Sequence, residues 1–203
     1  MIITARSPLL SVWQPLEPNG LILQTGSYLM LPKLGKLFEN DSRPGAQIQQ
    51  PDEQPLRSAD NDSNTYQALS EASVMRAPKK TFIIINPYPG IQFDCTPADL
   101  QKVLGEPELN IYTHQEHLLF YRLKRAGYKL RTEFHFYQSR LFYARRTFEQ
   151  INLVGKDEVI SALRAKYLKD GIFDPEQEKI VDPLGNEILV RSSSALQLDY
   201  LRS

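Results

Sequence analysis

The stretch Tyr128-Lys129-Leu130-Arg131-Thr132-Glu133-Phe134-His135-Phe136-Tyr137 decides the fold. Tyr128, Leu130, Thr132, Phe134 and Phe136 alternate with Lys129, Arg131, Glu133, His135 and Tyr137, the period-2 pattern of a strand with one face on a core and the other wet. Leu118 to Leu123 lies before it and Leu141 to Phe148 after it, with turns expected at Ala126-Gly127 and at Gln138 to Arg140. Three runs so spaced predict an antiparallel meander.

Farther out, two helices are expected. Thr96 is a natural N-cap, Pro97 suits the first helical position, and Asp99 stands where a capping box places a carboxylate. Leu100, Val103 and Leu104 supply the apolar stripe, and Gly105 and Pro107 end the helix. The second begins near Lys156 or Asp157, carries Val159, Ile160, Leu163, Tyr167 and Leu168 at helical spacing, and stops at Gly171. Further strands are expected over 82–86, 179–181, 187–191 and 196–201, with a turn at Asp182-Pro183-Leu184-Gly185-Asn186.

The fold expected is α+β, an antiparallel sheet with short helices on one face. Residues 81–203 form its core domain. Residues 1–38 hold two apolar runs separated by Glu17-Pro18-Asn19-Gly20 and read as a hairpin extension anchored by Trp13. Residues 39–80 read as a flexible acidic linker: aromatic residues nearly vanish over 39–73, and such a segment buries too little apolar area to offset its ordering entropy. A short helix near Tyr66 to Val74 is the exception. Ile91, Phe93, Leu100 and Val103 are echoed 60 positions later by Ile151, Leu153, Ile160 and Leu163. A tandem helix-sheet repeat and a chance alignment of two amphipathic helices both account for that echo.

The string Pro89-Gly90-Ile91-x-Phe93, followed by Thr96-Pro97-x-Asp99-Leu100 and Leu104-Gly105-x-Pro107, resembles the helix entry of the superfamily of the β-lactamase inhibitor protein and of the small lipoprotein of the outer-membrane barrel-assembly machine. The resemblance covers residues 82–203. It implies a binding protein, an inhibitor, bacterial immunity or assembly-accessory factor, rather than an enzyme. The chain departs from the exported members in that neither a signal peptide nor a lipid-attachment cysteine is expected near its start.

Net charge is zero with a pI near 6.8, so no global field draws the chain to nucleic acid or membrane. Locally the charge is segregated. Residues 122–146 hold eight cations against Glu133 alone, and residues 39–73 hold seven carboxylates against Arg43 and Arg57. The basic aromatic sheet face therefore marks a site for an acidic protein surface. Its expected contacts are Lys129, Arg131, His135, Tyr137, Arg145 and Arg146, with Trp13 on a second surface. The same face is the alternative site for single-stranded nucleic acid.

Cys95 is the only cysteine, which excludes an internal disulfide and, with no export signal read at the start, makes a cytoplasmic address the expectation. It lies just before a helix N-terminus, so a small Cys-dependent enzyme using a histidine base is a second alternative. His114-x-x-His117 offers two metal ligands with nothing to complete them. No phosphate loop, nucleophile elbow or dinucleotide fingerprint occurs, and neither a cofactor, a metal nor catalysis is expected.

Overall fold

The computed structural model describes residues 62–203 apart from His114 and Asp170, and side chains from Tyr66 onward. The expected hairpin over 1–38, Trp13 within it, and the linker as far as residue 61 lie outside the described residues.

The described residues form eleven elements in order: α1 (Asp62–Val74), β1 (Ala77–Lys80), α2 (Pro97–Leu104), β2 (Leu109–Tyr112), β3 (Glu116–Arg125), β4 (Tyr128–Tyr137), β5 (Arg140–Phe148), α3 (Leu153–Leu168), β6 (Glu178–Val181), β7 (Glu187–Ser192) and β8 (Leu196–Leu201). All strands join one sheet in the order β1-β6-β7-β8-β5-β4-β3-β2. It is built from two antiparallel meanders, β2–β5 and β6–β8, sewn together where β5 pairs with β8. Among the described strands only the β1–β6 pair is parallel.

Local chemistry fixes the connections. The β3–β4 hairpin turns at Ala126 and Gly127, both at positive φ, the conformation that matches the twist of paired strands in a two-residue loop. The β4–β5 hairpin does the same with Gln138 and Ser139, two non-glycine residues held at φ 48° and 61°. Helix α2 starts with the expected capping box, Thr96 accepting from the Asp99 backbone N–H while the Asp99 carboxylate accepts from the Thr96 backbone. Helix α3 begins earlier than its apolar stripe suggests, because Asn152 caps it by accepting from the Gly155 N–H.

The main core lies on the face carrying Leu130, Phe134 and Phe136, where Leu100 of α2 and Val159, Leu163 and Tyr167 of α3 are buried. Each such aliphatic or aromatic side chain contributes about 1.5–3 kcal/mol by leaving water. A second, smaller cluster occupies the opposite face, where Leu69 of α1 meets Tyr143 and Leu189.

The helices therefore cover both faces rather than one. Residues 62–80, expected to be the end of a linker, supply α1 and the edge strand β1. The strand expected over 82–86 is irregular: Phe82 is 91% exposed, and the Ile83 N–H turns back to Thr81 Oγ1. Pairing with β6 is spent on the preceding residues, and of the apolar run only Ile85 enters the core, its N–H held by Asp182. The helix-sheet repeat is not supported. Helix α2 has 8 residues and α3 has 16, and four strands follow the first against three after the second.

No helix among the described residues is long and apolar enough to cross a membrane.

Candidate functional site: the open half of the α1 face

Alternation along β4 places Lys129, Arg131, Glu133, His135 and Tyr137 on the face that α1 crosses. Helix α1 is tied down at both ends. At its start Tyr66 O–H donates to Glu116 Oε2 at 2.9 Å, and the Tyr66 hydroxyl oxygen lies 2.6 Å from His135 Nδ1. One phenol proton serves one acceptor, so with Glu116 taking it, His135 Nδ1–H is the donor to Tyr66. Toward its end Ser73 hydrogen-bonds Glu187 and accepts from Lys179 Nζ at 2.8 Å, and beyond it Arg76 donates to the Val190 carbonyl at 2.8 Å.

Beyond α1, among the described residues, Lys124, Lys129 and Arg131 of β3 and β4 are exposed on this face, and Arg122 of β3 and Arg191 of β7 are partly exposed. There β3 and β4 set Arg122 directly opposite Arg131, and Lys124 directly opposite Lys129. Arg122 meets Glu108 at 3.5 Å and Arg131 meets Glu133 at 3.2 Å. Among the described residues Lys124 and Lys129 form no ion pair, and both are exposed.

The block rests on a buried ionic floor. Asp199 is fully buried and takes Arg145 Nε at 3.0 Å, Arg191 Nε at 2.5 Å and the Tyr143 hydroxyl at 2.5 Å. Burial and then the Asp199 charge push the Tyr143 phenol well above its usual range, so it remains a donor. Arg145 also lies 3.6 Å from Glu133. Burial alone would raise the Glu133 carboxyl, but His135 and the guanidinium groups of Arg145 and Arg131 outweigh it and hold the carboxyl low. Burial works against the Arg145 charge as well, and the carboxylates of Asp199 and Glu133 outweigh it and keep its pKa above the ordinary value.

The expected contacts divide. Lys129 and Arg131 are on the open surface, and Tyr137 is exposed at the end of β4. Arg145 is mostly buried in the ionic floor. His135 is buried under α1, together with the ring of Tyr143, so those aromatic groups are not offered to a partner. Arg146 is a correction: it points into the main core with 2% exposure, over the rings of Tyr88 and Tyr200, and donates to the Pro87 carbonyl. Neighbouring residues of a strand face opposite ways, so Arg145 and Arg146 never shared a surface.

Arg122, Lys124, Arg191 and Asp199 were not among the expected contacts. The two β3 cations were visible as part of the basic run, but only the hairpin register puts them beside Lys129 and Arg131. Asp199 had a fainter signal, a lone acid between Leu198 and Tyr200 in an apolar strand.

The other candidates are weaker. Cys95 is half-buried; its thiol is pushed up to about 11, chiefly by burial and then by Asp99 and Asp94, and no hydrogen bond among the described residues joins it to a histidine. His117 bonds Asn110 at 2.7 Å and stacks on Tyr112, while His114 lies outside the described residues. No cluster that would hold a metal ion occurs among the described residues.

No protein-family model matches the chain, and no characterised protein or solved structure matches it either.

Proposed function

We propose that this protein is a non-catalytic binding module that grips an acidic protein surface with the open half of the α1 face, in an inhibitory, immunity or assembly-accessory role in the cytoplasm. The observation that carries this reading is the pairing of like charges, Arg122 with Arg131 and Lys124 with Lys129, directly across β3 and β4. Opposed like charges destabilise a sheet. A fold that keeps two such pairs side by side gains nothing in stability from them; Arg122 and Arg131 are each answered by one carboxylate of the chain, Glu108 and Glu133, whereas Lys124 and Lys129 are left for a partner's carboxylates to relieve. The arginines suit bidentate contact with carboxylates, and the buried floor of Asp199 and Glu133 holds Arg131, Arg145 and Arg191 in place before binding.

The weak resemblance to the β-lactamase inhibitor protein superfamily points the same way, since its members bind other proteins. Single-stranded nucleic acid fits less well. Stacking needs open rings, and of the aromatic side chains expected on this face His135 and Tyr143 are buried.

The test is affinity capture from the source cells with tagged protein, beside a Lys129→Glu, Arg131→Glu variant. One stoichiometric protein retained by the wild type and lost from the variant supports the reading. Recovery of nucleic acid, or of a partner indifferent to the charge reversal, overturns it.

A further inference from the structure

Lys124 and Lys129 stand directly opposite across β3 and β4, both exposed, and neither forms an ion pair among the described residues. Glu108 and Glu133 answer the arginines of the adjoining pair, Arg122 and Arg131, and form no ion pair with the lysines. Two like charges held together draw in whatever carboxylates are nearest.

The chain ahead of α1 carries the opposite charge in its sequence. Residues 39–61 hold Glu39, Asp41, Asp52, Glu53 and Asp60 against Arg43 and Arg57. Ile48 and Leu56 are their only large apolar side chains, so charge is what this segment has to offer a surface. Its attachment point decides which surface. The segment runs into α1 at Asp62, and about one turn on, Tyr66 donates to Glu116 of β3 and lies 2.6 Å from His135 of β4. It is therefore tethered to the same two strands that carry the lysine pair.

The distances suit the adjacent acids Asp52 and Glu53. Lys129 lies six residues along β4 from His135, a span of about 20 Å. The four residues from Asp62 to Tyr66 add about 6 Å of helix. Glu53 precedes Asp62 by nine residues, enough chain to cover about 30 Å. A link so short sets an effective concentration on the order of millimolar, at which weak surface ion pairs suffice to fill a site.

We propose that Asp52 and Glu53 seat on Lys124 and Lys129 when no partner is bound, an intramolecular competitor for the docking surface. Resting on the partner site proposed above, this contact sets its threshold. Surfaces with scattered carboxylates are excluded, and a partner engages by presenting a denser cluster that displaces the acidic pair. Because the lysines are exposed, salt screens the contact.

The test is acetylation of the partner-free full chain, read by mass spectrometry in wild type and in Asp52→Asn, Glu53→Gln, with Lys102 on α2 as the reference for the change in net charge. At low ionic strength Lys124 and Lys129 should react about threefold faster in the variant relative to Lys102, and molar salt should erase the difference. Equal rates in the two proteins at low salt overturn the proposal. Protection that vanishes on dilution assigns the acids to a second copy and overturns the intramolecular contact. Failure of the partner site has a separate signature: capture indifferent to Lys129→Glu, Arg131→Glu overturns that reading, while the lysines of the partner-free chain still distinguish wild type from variant. Where the partner is captured through this face, Asp52→Asn, Glu53→Gln should bind it about threefold more tightly, and an unchanged affinity overturns the competition.

Discussion

Replacing Asp199 by Asn should be the most damaging isosteric change in the described residues. The carboxylate is fully buried and binds two guanidinium groups and a phenol. Without its charge Arg191 loses its ion pair, Arg145 keeps only the longer contact with Glu133 at 3.6 Å, and the two guanidinium groups repel each other. Removing one partner of a buried pair costs about 3–5 kcal/mol, because the remaining charge is stranded. Arg191 is still one-third exposed, which places the expected loss near the lower end, about 3 kcal/mol. For a chain of this size that is a fall of about 10 °C in melting temperature. Urea unfolding followed by far-ultraviolet circular dichroism should show the midpoint drop with the slope unchanged. Arg191→Met in the Asp199→Asn background should then cost less than Arg191→Met alone, since the interaction it removes is already broken. A loss below about 1 kcal/mol, or full additivity of the two changes, would refute the view that Asp199 organises this face.

Three further outcomes follow from other parts of the molecule. Lys166 titrates at about 8 in the folded chain against 10.5 ordinarily. Over that window the unfolded chain holds a proton the folded chain lacks, so stability should rise with pH, by about 1 kcal/mol once partial exposure is discounted; Lys166→Met should flatten the rise in urea midpoints measured across it. Gln138→Asn with Ser139→Gly should stabilise the β4–β5 hairpin by about 1 kcal/mol, because two non-glycine residues now occupy left-handed backbone; an unchanged urea midpoint would contradict that. The Cys95 thiol, protonated at neutral pH, should label slowly with iodoacetamide at pH 7 and faster as pH rises toward 11, and Cys95→Ala should leave partner binding intact.

The meander was legible because its alternation is strict and its turns are short: β3, β4, β5, β7 and β8 fall within a few residues of where Tyr128 to Tyr137 and its neighbours predict them. Helix α2 was legible through Thr96, Pro97 and Asp99. What sequence hid was long-range. The polar stretch ending in Tyr66 to Val74 packs only Leu69 and the Tyr66 ring against apolar partners, and a helix so polar becomes intelligible only when Glu116, His135 and Glu187 are seen beneath it. Ala77 to Lys80 holds a proline and two lysines and reads as no strand at all, since its pairing with β6 bridges about 100 residues of chain. The apolar run at Phe82 drew the strand to the wrong place for the same reason. The site was half legible: the basic run was plain, but which cations share a face depends on register, and Arg146 shows how an adjacent residue of the same type takes the opposite role.

The central claim, that partners dock on the open half of the α1 face, is tested most directly by amine footprinting of the captured complex. Lys124 and Lys129 form the unpaired centre of that surface, while Lys102 on α2, with 74% of its side chain exposed, reports the far face. Acetylation of Lys124 and Lys129 should slow sharply in the complex with Lys102 unchanged. Free labelling of both while the partner stays bound would contradict the account.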